Sequence, residues 1–180
     1  IEIKLYGDWH KAIELVDNLG PSIKKGYDTA VNKFSKDLLK IVLFSIATGT
    51  PPKGTGINWE PHSPITTKKY GEHPIYYLTG TYYRAIGLFK YKDKTLVGLP
   101  RSKGRSSSGG ITLGELARIL EYGTGGRGGG KSSGTIPPRP LWNPAINAVG
   151  GKDRLRSMII KNIRKQLYGF GIRANQVRWR

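Results

Sequence analysis

Residues 125–132 read Gly-Gly-Arg-Gly-Gly-Gly-Lys-Ser, and Gly125, Gly130, Lys131 and Ser132 fit the spacing G-x-x-x-x-G-K-[ST]. In that pattern glycine amides cradle phosphates, the lysine neutralises them and the hydroxyl holds Mg²⁺. The chemistry needs a frame, because the last glycine must hand over directly to a helix whose free amides hold the anion. Here Ser132 is followed by Ser133, Gly134, Thr135, Ile136 and two prolines, a run that predicts extended backbone. No strand precedes the glycines either, since Leu113, Leu116, Ala117 and Leu120 recur at helical spacing. The match follows from glycine content, and no nucleotide or other cofactor is expected. The flanks carry the signal instead: Glu121-Tyr122-Gly123 before the glycines and Ile136-Pro137-Pro138-Arg139-Pro140 after them.

Other chemistry-bearing residues are sparse. His10, His62 and His73 share no metal-ligand spacing and read as exposed loop histidines, so no metal site is expected. No serine lies in G-x-S-x-G, the carboxylates are scattered and cysteine is absent, which removes thiolate chemistry and disulfides. The chain does not read as an enzyme. Its charge is the larger statement, with 30 Lys+Arg against 12 Asp+Glu for a net +18. From Pro100 onward there are sixteen basic and three acidic residues, so this half, at +13, is the one expected to face a polyanion, the alternative being that the basic residues solvate exposed faces and tails. No apolar run approaches the ~20 residues of a membrane span, and the amino-terminal IEIKLYGDW does not read as a signal peptide.

At 180 residues a single domain is expected. Alternation predicts a short strand at residues 1–6, and Asp8 is placed to cap a short helix carrying Trp9, Ile13 and Val16 that Gly20-Pro21 ends. A long helix follows with Ile23, Tyr27, Val31, Phe34, Leu38, Ile41 and Ile46 on its inner stripe. Thr79 is the expected cap of a helix from Gly80 to about Ile86. Strands at residues 85–91 and 95–99 then form a hairpin around Lys92-Asp93-Lys94. A last helix runs from about Leu141 or Asp153 to Tyr168, with Leu155, Ile159, Ile163 and Leu167 inward and Arg154, Arg156, Lys161, Arg164 and Lys165 outward. Flexible loops at residues 101–110 and 123–134 and a basic tail at 169–180 complete the chain. The fold class is α+β, a long N-terminal helix packed on a small antiparallel sheet with a C-terminal helix. Tyrosines 76, 77, 82 and 83 read first as packing material and only second as base-stacking platforms.

Taken in order, several segments resemble a family. Trp59 and Pro61 lead to Leu78-Thr79-Gly80 with Arg84 behind, then a hairpin, then Leu-Glu-Tyr-Gly-Thr at 120–124, then Ile-Pro-Pro-Arg-Pro-Leu at 136–141. This order is similar to the tail-completion or neck proteins of tailed bacteriophages, including the Mu-type virion morphogenesis proteins, over residues 39–167. The resemblance implies a structural virion protein that assembles in the host cytoplasm as a homo-oligomeric ring, of six subunits by expectation. Such a ring sits at the neck or the head-proximal end of the tail between connector or head-closure proteins and the tail terminator or tail tube. The genome passes through it. The long glycine loop and basic tail depart from the family pattern.

Two proline neighbours stiffen the backbone at Arg139 and aim its guanidinium, with Glu121 as the expected ion partner. Trp59, Leu78, Thr79, Gly80, Glu121, Tyr122, Gly123, Pro137, Arg139 and Pro140 are thus the motif and interface residues. Arg101, Lys103, Arg105, Arg127 and Lys131, with the last helix next in order, are the candidates for loose, sequence-independent contact with genomic DNA. The competing reading is a free-standing basic nucleic-acid-binding protein, which needs a continuous basic face on the monomer rather than a subunit interface.

Overall fold

The computed structural model describes residues 9–76, 80–92, 94–100, 112–124 and 136–168. The expected strand at residues 1–6, most of both glycine-rich loops and the basic tail lie outside these. The chain is α+β: α1 (Trp9–Thr48), α2 (Pro64–Tyr70), α3 (Thr81–Ala85), β1 (Gly87–Tyr91), β2 (Lys94–Gly98), α4 (Leu113–Tyr122), α5 (Trp142–Ala148) and α6 (Gly151–Tyr168). The described parts of Ile1–Lys33 and Lys152–Arg180 form one compact unit, and Phe34–Gly151 forms the other.

Gly20-Pro21 does not end a helix as its composition predicts; α1 runs through it for 40 residues. Proline removes one backbone donor and crowds the carbonyl of residue 17. Residues 16, 17, 19, 20 and 21 are all exposed, so water can take up the freed carbonyl. The cost of about 3 kcal/mol is then outweighed by propagation and packing on both sides.

The inner face of α1 also differs from the expected stripe. Buried positions run 22, 26, 30, 34, 38, 42 and 46, every fourth residue, a row that coils slowly around the helix. In the first unit that row is Ser22, Gly26 and Ala30, while Ile23 and Tyr27, predicted inward, are exposed. The reason is the neighbour's backbone. A Cβ built on Gly26 would stand 2.7 Å from the Ile163 Cα and 2.8 Å from its nitrogen, so α6 presses its main chain onto α1 where only glycine fits. In the second unit the same row carries bulk, and Phe34, Leu38, Val42 and Ile46 join Leu113, Leu120, Leu141 and Val149 in the core.

The hairpin is one residue tighter than predicted. Tyr91 pairs with Lys94 and Gly87 with Gly98, leaving a two-residue connection whose Lys92 takes the positive φ such turns require. The cap of α3 is Gly80 in the left-handed conformation rather than Thr79, which lies outside the described residues. Helix α2, absent from the sequence reading, starts where Ser63 accepts a hydrogen bond from the Thr66 amide with Pro64 in the first turn. Helix α4 forms where the spacing of Leu113, Leu116, Ala117 and Leu120 predicts it and begins on a reciprocal box between Thr112 and Glu115. The predicted last helix is two, because Gly150 and Gly151 both adopt positive φ between α5 and α6.

Two glycines in helices make opposite predictions. Gly114 in α4 meets nothing closer than 3.9 Å, so Gly114→Ala should raise stability by a few tenths to about 1 kcal/mol. Gly26→Ala should lower it despite the same propensity gain, because backbone atoms of α6 cannot yield as a side-chain tip would. Thermal unfolding of the two variants beside the parent measures both signs.

Candidate functional site

The motif segments of the second unit meet at Arg139. Its side chain is 4% exposed, and its Nε and one terminal nitrogen donate to the carbonyl oxygens of Glu60 at 2.9 Å and Pro61 at 3.0 Å. Its amide donates to the Leu120 carbonyl at 2.7 Å, and its own carbonyl accepts from the Tyr76 hydroxyl. One residue on, the Pro140 carbonyl accepts from the Trp59 indole at 3.0 Å. Five bonds from two consecutive residues therefore tie together the Trp59–Pro61 loop, Tyr76 and the end of α4.

The expected Glu121–Arg139 ion pair does not form. The Glu121 carboxylate instead accepts from the Leu141 amide at 2.8 Å and the Trp142 amide at 3.4 Å, the two donors that open α5. Leu141 has no oxygen of its own to cap that helix, so a carboxylate from α4 does so and meets the positive end of the helix dipole. The guanidinium turns the other way, toward carbonyls left free because the segment around residues 51–63 forms no ladder. An arginine fork suits two carbonyls on adjacent residues, and hydrogen bonds to a charged group are worth about 1.5–3 kcal/mol each. Burial lowers the Arg139 pKa from its ordinary value, with Tyr76 and Glu60 opposing, but arginine starts high enough to stay charged.

Aromatic rings wall the junction. Trp59 and Tyr76 stand 5.1 Å apart, and Tyr76 and Tyr82 stand 5.4 Å apart, with each ring less than a tenth exposed. Burial pushes the ionisation of Tyr76 and Tyr82 far above the usual tyrosine range. Both rings serve as packing, which removes them as base-stacking platforms.

The flanks of the glycine loop close on each other. The Thr124 amide donates to the Ile136 carbonyl at 3.1 Å, and the Ile136 amide donates to the Thr124 hydroxyl at 2.9 Å. Gly123 turns the chain out of α4 at φ 71° and ψ 179°, a conformation close to glycine-only, and a Cβ there would lie 2.6 Å from the Ile136 oxygen. A phosphate-binding loop needs a strand before it and a helix directly after it. Here α4 precedes, and residues 136–140 form no helix.

His62 and His73 are half-buried rather than exposed, with ring centroids 4.3 Å apart and edge-on. The His62 Nε2 and both His73 ring nitrogens are buried without a hydrogen-bond partner. Burial lowers the His62 pKa from its ordinary 6.5, with His73 and Arg139 acting in the same direction and the backbone at Pro74 and His73 against it. Among the described residues no three metal-ligating side chains converge.

Of the motif and interface residues, Trp59, Gly80, Glu121, Gly123, Pro137, Arg139 and Pro140 are buried or half-buried, and Tyr122 stands out at 72% exposed. Leu78 and Thr79 lie outside the described residues, as do all five loop cations, Arg101, Lys103, Arg105, Arg127 and Lys131. Sequence reasoning missed the trans cap from Glu121 and the carbonyl acceptors of Arg139. The bare Leu141 cap position is the signal that would have found the first. Comparison with family models, curated proteins and solved structures found no match.

Arg139→Ala should cost about 2–5 kcal/mol, since two part-buried hydrogen bonds are lost and a cavity opens. Arg139→Lys should recover only part, because an ammonium cannot reproduce the fork. Chemical denaturation of both variants, with fluorescence from the buried Trp59, reads the order. A pH series tests the histidine pair. His62 is held neutral in the fold, so the unfolded chain binds the extra proton and stability falls as pH drops through 6.5. Glu115, whose pKa is lowered by bonds from the Thr112 amide and hydroxyl, loses its contribution only below 4.5. Between pH 7 and 5 the slope of stability should therefore flatten in His62→Gln, and an unchanged slope would remove the pair as its source.

Proposed function

We propose that this chain is a structural subunit of a tailed-bacteriophage neck or tail-completion ring, with the genome passing through the assembly. The order of the Trp-Pro, Leu-Thr-Gly, Glu-Tyr-Gly-Thr and Pro-Pro-Arg-Pro segments supports the family. Most of the described motif residues serve as a junction within the subunit, so the motifs keep the fold rigid and leave assembly to other surfaces.

The observation that carries the assembly is apolar surface left in water. Val16, Leu19, Ile23 and Tyr27 occupy one face of α1 at spacings of three and four, and they are 66%, 36%, 37% and 46% exposed. The same face continues into Ala30 and Phe34, both buried. A contiguous uncovered helical stripe is the mark of a partner-binding surface. Exposed Tyr122, beside the rigid junction, offers a second contact to a neighbour.

Sedimentation and electron microscopy of the purified chain provide the test. The parent should form closed rings with a central opening. Ile23→Glu with Tyr27→Glu should weaken association by at least about 100-fold through loss of apolar burial and insertion of charge, with helicity and unfolding midpoint preserved. A parent that stays monomeric at high micromolar concentration would remove the ring and leave a free-standing basic nucleic-acid-binding protein.

A further inference from the structure

The outward face of α6 holds cations, Lys161, Arg164 and Lys165, that no carboxylate among the described residues neutralises. The helix carries Lys152, Arg154, Arg156, Lys161, Arg164 and Lys165 against a single Asp153. None of its residues is fully buried, and its apolar side, with Leu155, Met158, Ile159, Ile163 and Leu167, is only half-covered. Close backbone contact between Ile163 and Gly26 fixes which side faces α1. At 100° per residue, Lys161 and Lys165 then lie about 160° from Ile163, with Arg164 and Tyr168 between 100° and about 140°.

No carboxylate pairs with Lys161, Arg164 or Lys165 among the described residues, whereas Arg154 is engaged within the chain. Like charges at i, i+3 and i, i+4 destabilise an isolated helix by about 0.2–0.5 kcal/mol per pair, so the arrangement works against its own helix. No described carboxylate supplies its complement, and a polyanion would. The amides that could read base edges are elsewhere: Asn162 and Gln166 are half-buried, and the Asn162 side chain donates to the Met158 carbonyl at 2.8 Å. What remains is closely spaced cations beside exposed Tyr168, suited to phosphates and blind to sequence.

We infer that the Lys161–Arg164–Lys165 face of α6 is a binding surface for the sugar-phosphate backbone of a nucleic-acid duplex. The surface is independent of the ring; the ring reading only names the genome as the duplex it meets. It places DNA contact on an ordered helix rather than on the glycine-rich loops alone.

The experiment titrates the full chain against a fluorescent 25-base-pair DNA duplex of arbitrary sequence over a range of NaCl concentrations. Each phosphate contact contributes about 0.9 to the slope of log affinity against log salt, so K161Q/R164Q/K165Q should reduce the slope by about 2.7. Between 50 and 200 mM NaCl that is a loss of about 40-fold in salt sensitivity. The charge-preserving K161R/K165R should keep the parent slope. K40Q/K53Q/K68Q removes three exposed lysines of the other unit and should change the slope little. Equal slope loss in both triple variants would reduce the effect to net charge and overturn the proposal. Tighter binding to polyglutamate than to duplex, lost in the α6 variant, would also overturn it and assign the face to an acidic protein. Sedimentation of the same samples separates the two readings: a monomeric parent with the expected slopes removes the ring and keeps this surface, and rings with unchanged slopes do the reverse.

Discussion

The second unit depends on one buried cation. A guanidinium 4% exposed and held by two backbone carbonyls is a constraint in both directions. The loop at residues 59–61 cannot move without stranding the charge, and the Pro-Arg-Pro segment cannot move without stranding the carbonyls. Carbonyl acceptors suit this purpose, because a carboxylate partner would add a second ion to desolvate. The main chain of Arg139 then joins Leu120 and Tyr76, so one residue fixes the exit of α4 and the entry of α5 together.

That geometry bears on the glycine-rich run between the two motifs. Thr124 and Ile136 bond to each other at its base, and Gly123 makes the turn that lets their backbones approach. Lengthening a closed loop adds only a logarithmic entropy term, about 0.6 kcal/mol for each doubling, once its ends are fixed by other contacts. The junction is closed by described residues on both sides of the run.

Local signals in the sequence were legible where one element decides its own fate. The helical period of α4 and the existence of the hairpin follow from periodicity and turn residues, whereas the glycine break that splits the last helix in two is not read from them. Long-range choices were not. Glu121 and Arg139 have complementary charges on two flanks of one loop, and pairing them is the economical reading of sequence. The structure separates them because each finds unpaired backbone groups nearby: α5 lacks a capping side chain, and the 59–61 loop has carbonyls without a ladder. Gly20-Pro21 reads as a stop because propensity ignores exposure; at a solvated position the lost bond is shared with water. The misplaced stripe of α1 has a similar origin, since periodicity cannot reveal that a neighbouring backbone demands glycine at position 26.

The two units differ in what holds them. The second has a core of large apolar residues and a hydrogen-bonded hub. The first has small residues on the inner face of α1, an α6 with no fully buried side chain, and four large apolar residues of α1 in water. Apolar burial supplies the main stabilisation of any packed pair of helices, at about 25 cal/mol per Å². A pair that meets backbone to backbone at a glycine gains close contact but covers little area there. Such a unit is stabilised most by whatever covers its remaining surface, so a partner binding there acts on the part of the chain with the least apolar burial of its own.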